Sequence, residues 1–143
     1  MNYREGDIFE IELGNDIKGM GKVLKRDEPS IFIELYKMVP AAKIEAINES
    51  DKYEPILSIW STDSGFKKGL WKILKNQPIT EEVIMPDFWK KDALNHDKII
   101  MIRGNETFEV TKEEIGNAQP YGIFGHDAVQ IRYAHELKQC GLL

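Results

Sequence analysis

The sequence predicts an α+β fold that is mainly antiparallel β: a twisted sheet or partly open barrel with a C-terminal helix packed on it. Three observations point there. Short stretches of alternating apolar and polar residues crowd the N-terminal part of the chain. Turn-forming residues separate them at close intervals, as in an antiparallel meander. Convincing helical periodicity occurs once, near the C-terminus.

The first strand spans Asp7 to Leu13, where Phe9, Ile11 and Leu13 alternate with Glu10 and Glu12. Gly14, Asn15 and Asp16 supply turn chemistry. A second strand runs from Met20 to Lys25 and a third from Ile31 to Tyr36, with Asp27, Glu28 and Pro29 turning between them. Ala41 to Asn48 fits either a strand or a short helical turn. Pro55 opens an apolar strand over Ile56 to Trp60. Phe66 to Leu74, carrying Trp71 and Ile73, reads as strand-like up to Gln77 and Pro78. Lys98 to Arg103 and Thr107 to Val110 flank Gly104 and Asn105, the cleanest hairpin signal in the chain. Thr111 to Ile115 fits a brief helical turn. The closing helix has Asp127 as its cap, Gln130 completing a capping box, and Ala128, Ile131, Ala134 and Leu137 at helical spacing, with Gly141 at its end.

At 143 residues the chain reads as a single domain, 1–143, large enough to bury an independent core. Hydrophobic residues make up 42% of it, with three Trp, six Phe and five Tyr, which opposes disorder. One cysteine, Cys140, leaves no internal disulfide and no multi-cysteine zinc motif. No signal-like or membrane-spanning run occurs, so the expected location is cytoplasmic, with no membrane partner. The net charge of −5 is uneven: residues 1–60 hold 8 basic and 12 acidic side chains, whereas residues 61–98 hold 7 and 6. Such a balance opposes nucleic-acid binding and attracts basic partners. The basic, aromatic segment from Phe66 to Lys75 reads as core Trp71 and Ile73 with lysines on the outer face.

The search for chemistry finds no catalytic, cofactor or metal constellation. Gly19, Met20 and Gly21 are too few for a phosphate loop and fit a bulge or a close strand approach. His126 and His135 do not share the i, i+4 spacing of a metal pair. Cys140, five residues after His135, sits at the chain end, a poor place for an ordered nucleophile. His126 beside Asp127 reads as a helix cap. Ser61, Thr62 and Ser64 lack a nucleophile elbow.

The order of motifs resembles a known family. Gly6, Asp7, Ile8 and Phe9, followed by Ile11, Leu13 and then Gly19 to Leu24, open the chain. Trp71, Lys72 and Ile73 precede Gln77 and Pro78, and Pro86, Asp87 and Phe88 come later. This pattern, over about residues 6–90, is similar to the immunity protein 26 family of bacterial polymorphic toxin systems. The resemblance implies a mainly β protein that binds and neutralises a cognate toxin in the producing cell. It brings no catalytic residues and no cofactor.

The acidic N-terminal portion suits a basic toxin such as a nuclease, since complementary charge speeds association. Glu10, Glu12 and Glu34 are expected on one polar sheet face, with Glu45, Glu49 and Asp51 nearby. Two readings stand for this cluster: a toxin-facing patch, or a solvated sheet face. Two other functions also stand, a regulatory interaction module without a toxin and a small enzyme with an unrecognised pocket. The sequence leaves the toxin and the oligomeric state open.

Overall fold

In an extended chain Phe9 and Ile11 fall on one side and Glu10 and Glu12 on the other, and this alternation builds β1 (Asp7–Gly14). The computed structural model describes residues 2–14, 16–37 and 53–143. They form two compact units: Met1–Glu82 with Ile123–Leu143, and Val83–Gly122.

In the first unit β1 pairs antiparallel with β2 (Ile17–Asp27), which pairs with β3 (Ser30–Tyr36), which pairs with β4 (Pro55–Thr62). The predicted meander is therefore present. A single helical turn, α1 (Ser64–Lys67), follows β4. The outer strands are β5 (Lys72–Asn76), antiparallel to β1, and β10 (Ile123–Phe124), parallel to β4. The resulting order is β10-β4-β3-β2-β1-β5, an open sheet. Phe9, Ile11, Val23, Ile33, Leu35, Leu57 and Ile59 form one face of the core. The C-terminal helix α2 (His126–Gln139) lies on that face, as the sequence predicts.

The helix buries Leu137 as expected, but the rest of its buried stripe differs. Val129, Tyr133 and Leu137 are buried, whereas Ile131 is 71% exposed. Tyr133 decides the rotation. Its ring fills the hollow over Gly19, where an added Cβ would collide with the ring. Its hydroxyl accepts the Met20 N–H at 3.1 Å and donates to the Tyr36 carbonyl at 2.6 Å. The close strand approach expected of this segment holds at Gly21, against Phe9 and Leu35, whereas Gly19 instead makes room for a tyrosine of the helix. The helix also starts two residues earlier than the sequence suggests. Gly125 occupies the cap position, and Asp127 accepts only its neighbour Ala128's N–H, so the Asp127–Gln130 capping box does not form. Gly141 does follow the last turn, and the Gly141 and Leu142 N–H groups bond back to Lys138 and Leu137.

The expected strand over Phe66–Leu74 is divided. Its first residues belong to α1, and β5 begins only at Lys72. Aromatic packing overrides the alternation here. Phe66 stands edge-on to Phe9 and Trp71 at centroid distances of 5.0 and 5.3 Å, and Gly65 lets the Trp71 ring lie against the backbone.

In the second unit β6 (Phe88–Lys91) pairs antiparallel with β7 (Ile99–Arg103), and β7 with β8 (Glu106–Val110). β9 (Gln119–Pro120) joins β6 in parallel. The predicted hairpin is present. A 3-10 turn, Lys112–Ile115, follows and is closed by a reciprocal Thr111–Glu114 capping box. Among the described residues two sheets and one long helix make an α+β fold with twisted sheets.

Candidate functional site

The face of the six-stranded sheet opposite α2 carries three of the predicted acidic residues, Glu10, Glu12 and Glu34. Directly paired residues share a face, so the register fixes the grouping. Glu10 pairs with Met20, Lys22 lies two residues on, and Lys22 pairs with Glu34. Glu10 and Glu34 therefore occupy one face, joined by Glu12, which is exposed. Glu45, Glu49 and Asp51 lie outside the described residues.

The face is not a bare acidic field. Lys18 Nζ lies 3.3 Å from Glu10 Oε1, and Lys72 pairs with Glu10 across β1 and β5. The Tyr36 hydroxyl donates to Glu34 Oε2 at 2.7 Å. Burial pushes the Lys22 ammonium below the usual lysine range, and Glu34 opposes that shift. Burial also raises the Tyr36 phenol, assisted by the Glu34 charge. Beneath these groups Ile8, Met20 and Tyr36 are buried and pack with Tyr53 and Leu74. The result is a firm floor carrying interleaved carboxylates and ammonium groups. Such a surface holds donors and acceptors in fixed places, which favours selective contact over long-range attraction.

A second grouping escapes sequence reasoning. Ser64 heads α1 and His126 heads α2, and Ser64 Oγ lies 2.8 Å from His126 Nδ1. Thr62 Oγ1 lies 2.8 Å from Ser64 Oγ. The Ser61 hydroxyl donates to the Phe124 carbonyl at 3.0 Å, fastening β10 beside β4. The neighbouring carboxylate, Asp63, is buried and engaged by the Tyr3 hydroxyl at 2.7 Å and Lys67 Nζ at 3.2 Å. A hydroxyl on an imidazole is the beginning of a nucleophile–base pair, and it is also an ordinary tie between two helix starts.

Among the described residues no three His, Cys, Asp or Glu side chains gather as metal ligands. Cys140, His96 and His135 are exposed. No helix among the described residues is long and apolar enough to cross a membrane.

The match that decides the family covers residues 4–99, more than half of the chain, and its model is described as immunity protein 26. The chain belongs to the immunity protein 26 family. No curated protein and no solved structure matches it. An immunity protein has, in general, a toxin as its partner. The matched residues take in β1 to β6, including Glu10, Glu12 and Glu34. The hairpin of β7 and β8 and the helix α2 lie almost entirely beyond them.

Proposed function

We propose that residues 1–143 act as one domain that binds and neutralises a toxin in the cytoplasm of the cell that makes both. Family membership carries this reading. The polar face around Glu10, Glu12 and Glu34 supports it, since the carboxylates stand on a rigid sheet and suit a basic partner such as a nuclease. Glu45, Glu49 and Asp51 are proposed as further partner contacts on their acidic character alone. Neutralisation here is blockade by binding and needs no cofactor.

The test is co-expression with each gene adjacent to this one, as a candidate toxin gene. The wild-type chain should restore growth and co-purify with the toxin. Failure to do either for every adjacent candidate overturns the reading. Glu10, Glu12 and Glu34 changed together to lysine should lower toxin affinity at least about tenfold, the effect of losing about 1.4 kcal/mol. An unchanged affinity removes that face from the interface.

The Ser64–His126 contact favours a second reading, a small hydrolase. Ser64→Ala separates the two. Full protection by the variant excludes a nucleophilic Ser64, and loss of protection with toxin binding intact favours the enzyme.

A further inference from the structure

Sheet edges are sites where another chain can add, and proteins guard them with lysines, prolines, bulges or brevity. The four sheet edges among the described residues differ in this respect. β9 and β10 are two residues long. β5 carries Lys72 and Lys75, and its register with β1 shifts between Ile8 and Phe9. β8 has no lysine, no proline and an unbroken register with β7 from Val110 to Glu106. Every residue from Arg103 to Glu109 is exposed.

The hairpin geometry identifies the open backbone groups. A two-residue turn, Gly104 and Asn105, makes Arg103 and Glu106 a mutually hydrogen-bonded pair. Met101 with Phe108 and Ile99 with Val110 then share that pattern. Thr107 and Glu109 are the alternate residues, so their N–H and C=O groups point away from β7. They offer an incoming strand a ready ladder.

Charge selects what can add. Glu106 and Glu109 lie on the strand, Glu109 in a long, solvent-exposed pair with Lys98 at 3.7 Å, and Glu113 and Glu114 follow it. A second copy of β8 would bring its own acids alongside these, and like charges side by side on a sheet are destabilising. A basic strand gains where a second copy loses. The two faces also differ. Thr107 and Glu109 project on one face, and Phe108 projects on the other beside Met101 and Arg103. Met101 and Arg103 line a groove of about 480 Å³ together with Asp87 and Ile115. An added strand would thus set basic side chains beside Glu109 and apolar ones beside Phe108.

We propose that β8 is a docking edge that takes an extended segment of the partner protein, with basic and apolar residues in alternation, as an added strand. Only the identity of that partner as the toxin rests on the function proposed above. β8 lies beyond the residues matched to the family, so the docking edge stands independently of that match.

The probe is a short synthetic peptide of alternating lysine and valine, with an alternating glutamate and valine peptide as control. With the full chain, the lysine peptide should slow amide exchange at Thr107 and Glu109, read residue by residue by NMR. Thr107→Pro removes one outward N–H without touching the β7 ladder and should abolish the protection, whereas Thr107→Val should keep it. Glu109→Lys should weaken the lysine peptide about tenfold and admit the glutamate peptide. Unchanged exchange at both amides overturns the proposal, as does equal protection by both peptides or an undiminished effect in Thr107→Pro. The toxin assay is read separately. If Thr107→Pro still binds the co-expressed toxin as wild type does, the edge is not the toxin interface. If the wild-type chain protects against no toxin, the functional reading fails while the peptide result still decides β8.

Discussion

The two units are built by different means. Among the described residues, unit 1 contains eighteen of the nineteen buried hydrophobic side chains, whereas Val83–Gly122 contains Met101 alone. Unit 1 rests on side-chain burial between a sheet and a helix. Unit 2 rests mainly on its backbone ladder, its capped 3-10 turn and surface pairs such as Arg103 with Asp87. Burial of apolar area is the dominant stabilising term, so the first unit carries most of the folding free energy. The second commits little of its surface to a core and leaves more of it to other molecules.

The largest expected break in that comparison is Trp71→Ala. Trp71 stacks on Phe9 at 5.1 Å and covers Gly65, so truncation opens the centre of unit 1. It should cost about 3–5 kcal/mol, read from the urea midpoint at unchanged slope. A loss near 1 kcal/mol would mean that the aromatic cluster is not the centre of the core.

Tyr133→Phe should come next. It leaves the buried Met20 N–H and Tyr36 carbonyl without their shared partner, at a cost of about 2–3 kcal/mol. The pH dependence sharpens this. Burial pushes the Tyr133 phenol up to about 12 from its ordinary value of 10.0. Folding favours the neutral form, so the contribution is complete below the ordinary value and is lost as pH rises toward the folded one. Above about pH 10 the wild type should therefore lose up to about 1.4 kcal/mol per pH unit from this group, and the gap to Tyr133→Phe should narrow. A gap that stays constant under alkaline titration would contradict the assignment. In unit 2, Met101→Ala should cost about 2 kcal/mol, the low end for a buried methionine, because its groove is already open on one side.

Legibility in the sequence follows the range of the forces involved. β1, β3 and β4 are readable because alternation is local and one face is buried. The shared face of Glu10 and Glu34 is readable for the same reason. Their lysine and tyrosine partners are not, because strand register depends on turns and bulges that composition leaves open. The existence of α2 is legible, but its buried stripe is legible only at Leu137. Ile131 is the more hydrophobic side chain, yet Tyr133 is chosen because its ring fits the Gly19 hollow and its hydroxyl serves two backbone groups. The Ser64–His126 contact joins residues 62 positions apart and leaves no local signal. The strand expected over Phe66–Leu74 does not form as one piece, because the rings of Phe9, Phe66 and Trp71 set that segment's path.

The smallest expected effect lies on the exposed hairpin. Arg103 donates from both Nε and a terminal nitrogen to Asp87 Oδ2, at 3.0 and 2.9 Å. Its guanidinium also lies 5.3 Å from the centre of the Phe108 ring. The geometry is good, but the Arg103 side chain is 60% exposed, and an exposed pair is screened by water and salt. Arg103→Ala should therefore cost below about 1 kcal/mol, and less in high salt. A double-mutant cycle with Asp87→Asn isolates the pair itself. A coupling as large as the Tyr133→Phe effect would contradict the contrast between the units, since it would make a solvated ion pair equal to a buried hydrogen-bond hub. A small coupling fits a hairpin whose exposed groups remain available to an incoming strand.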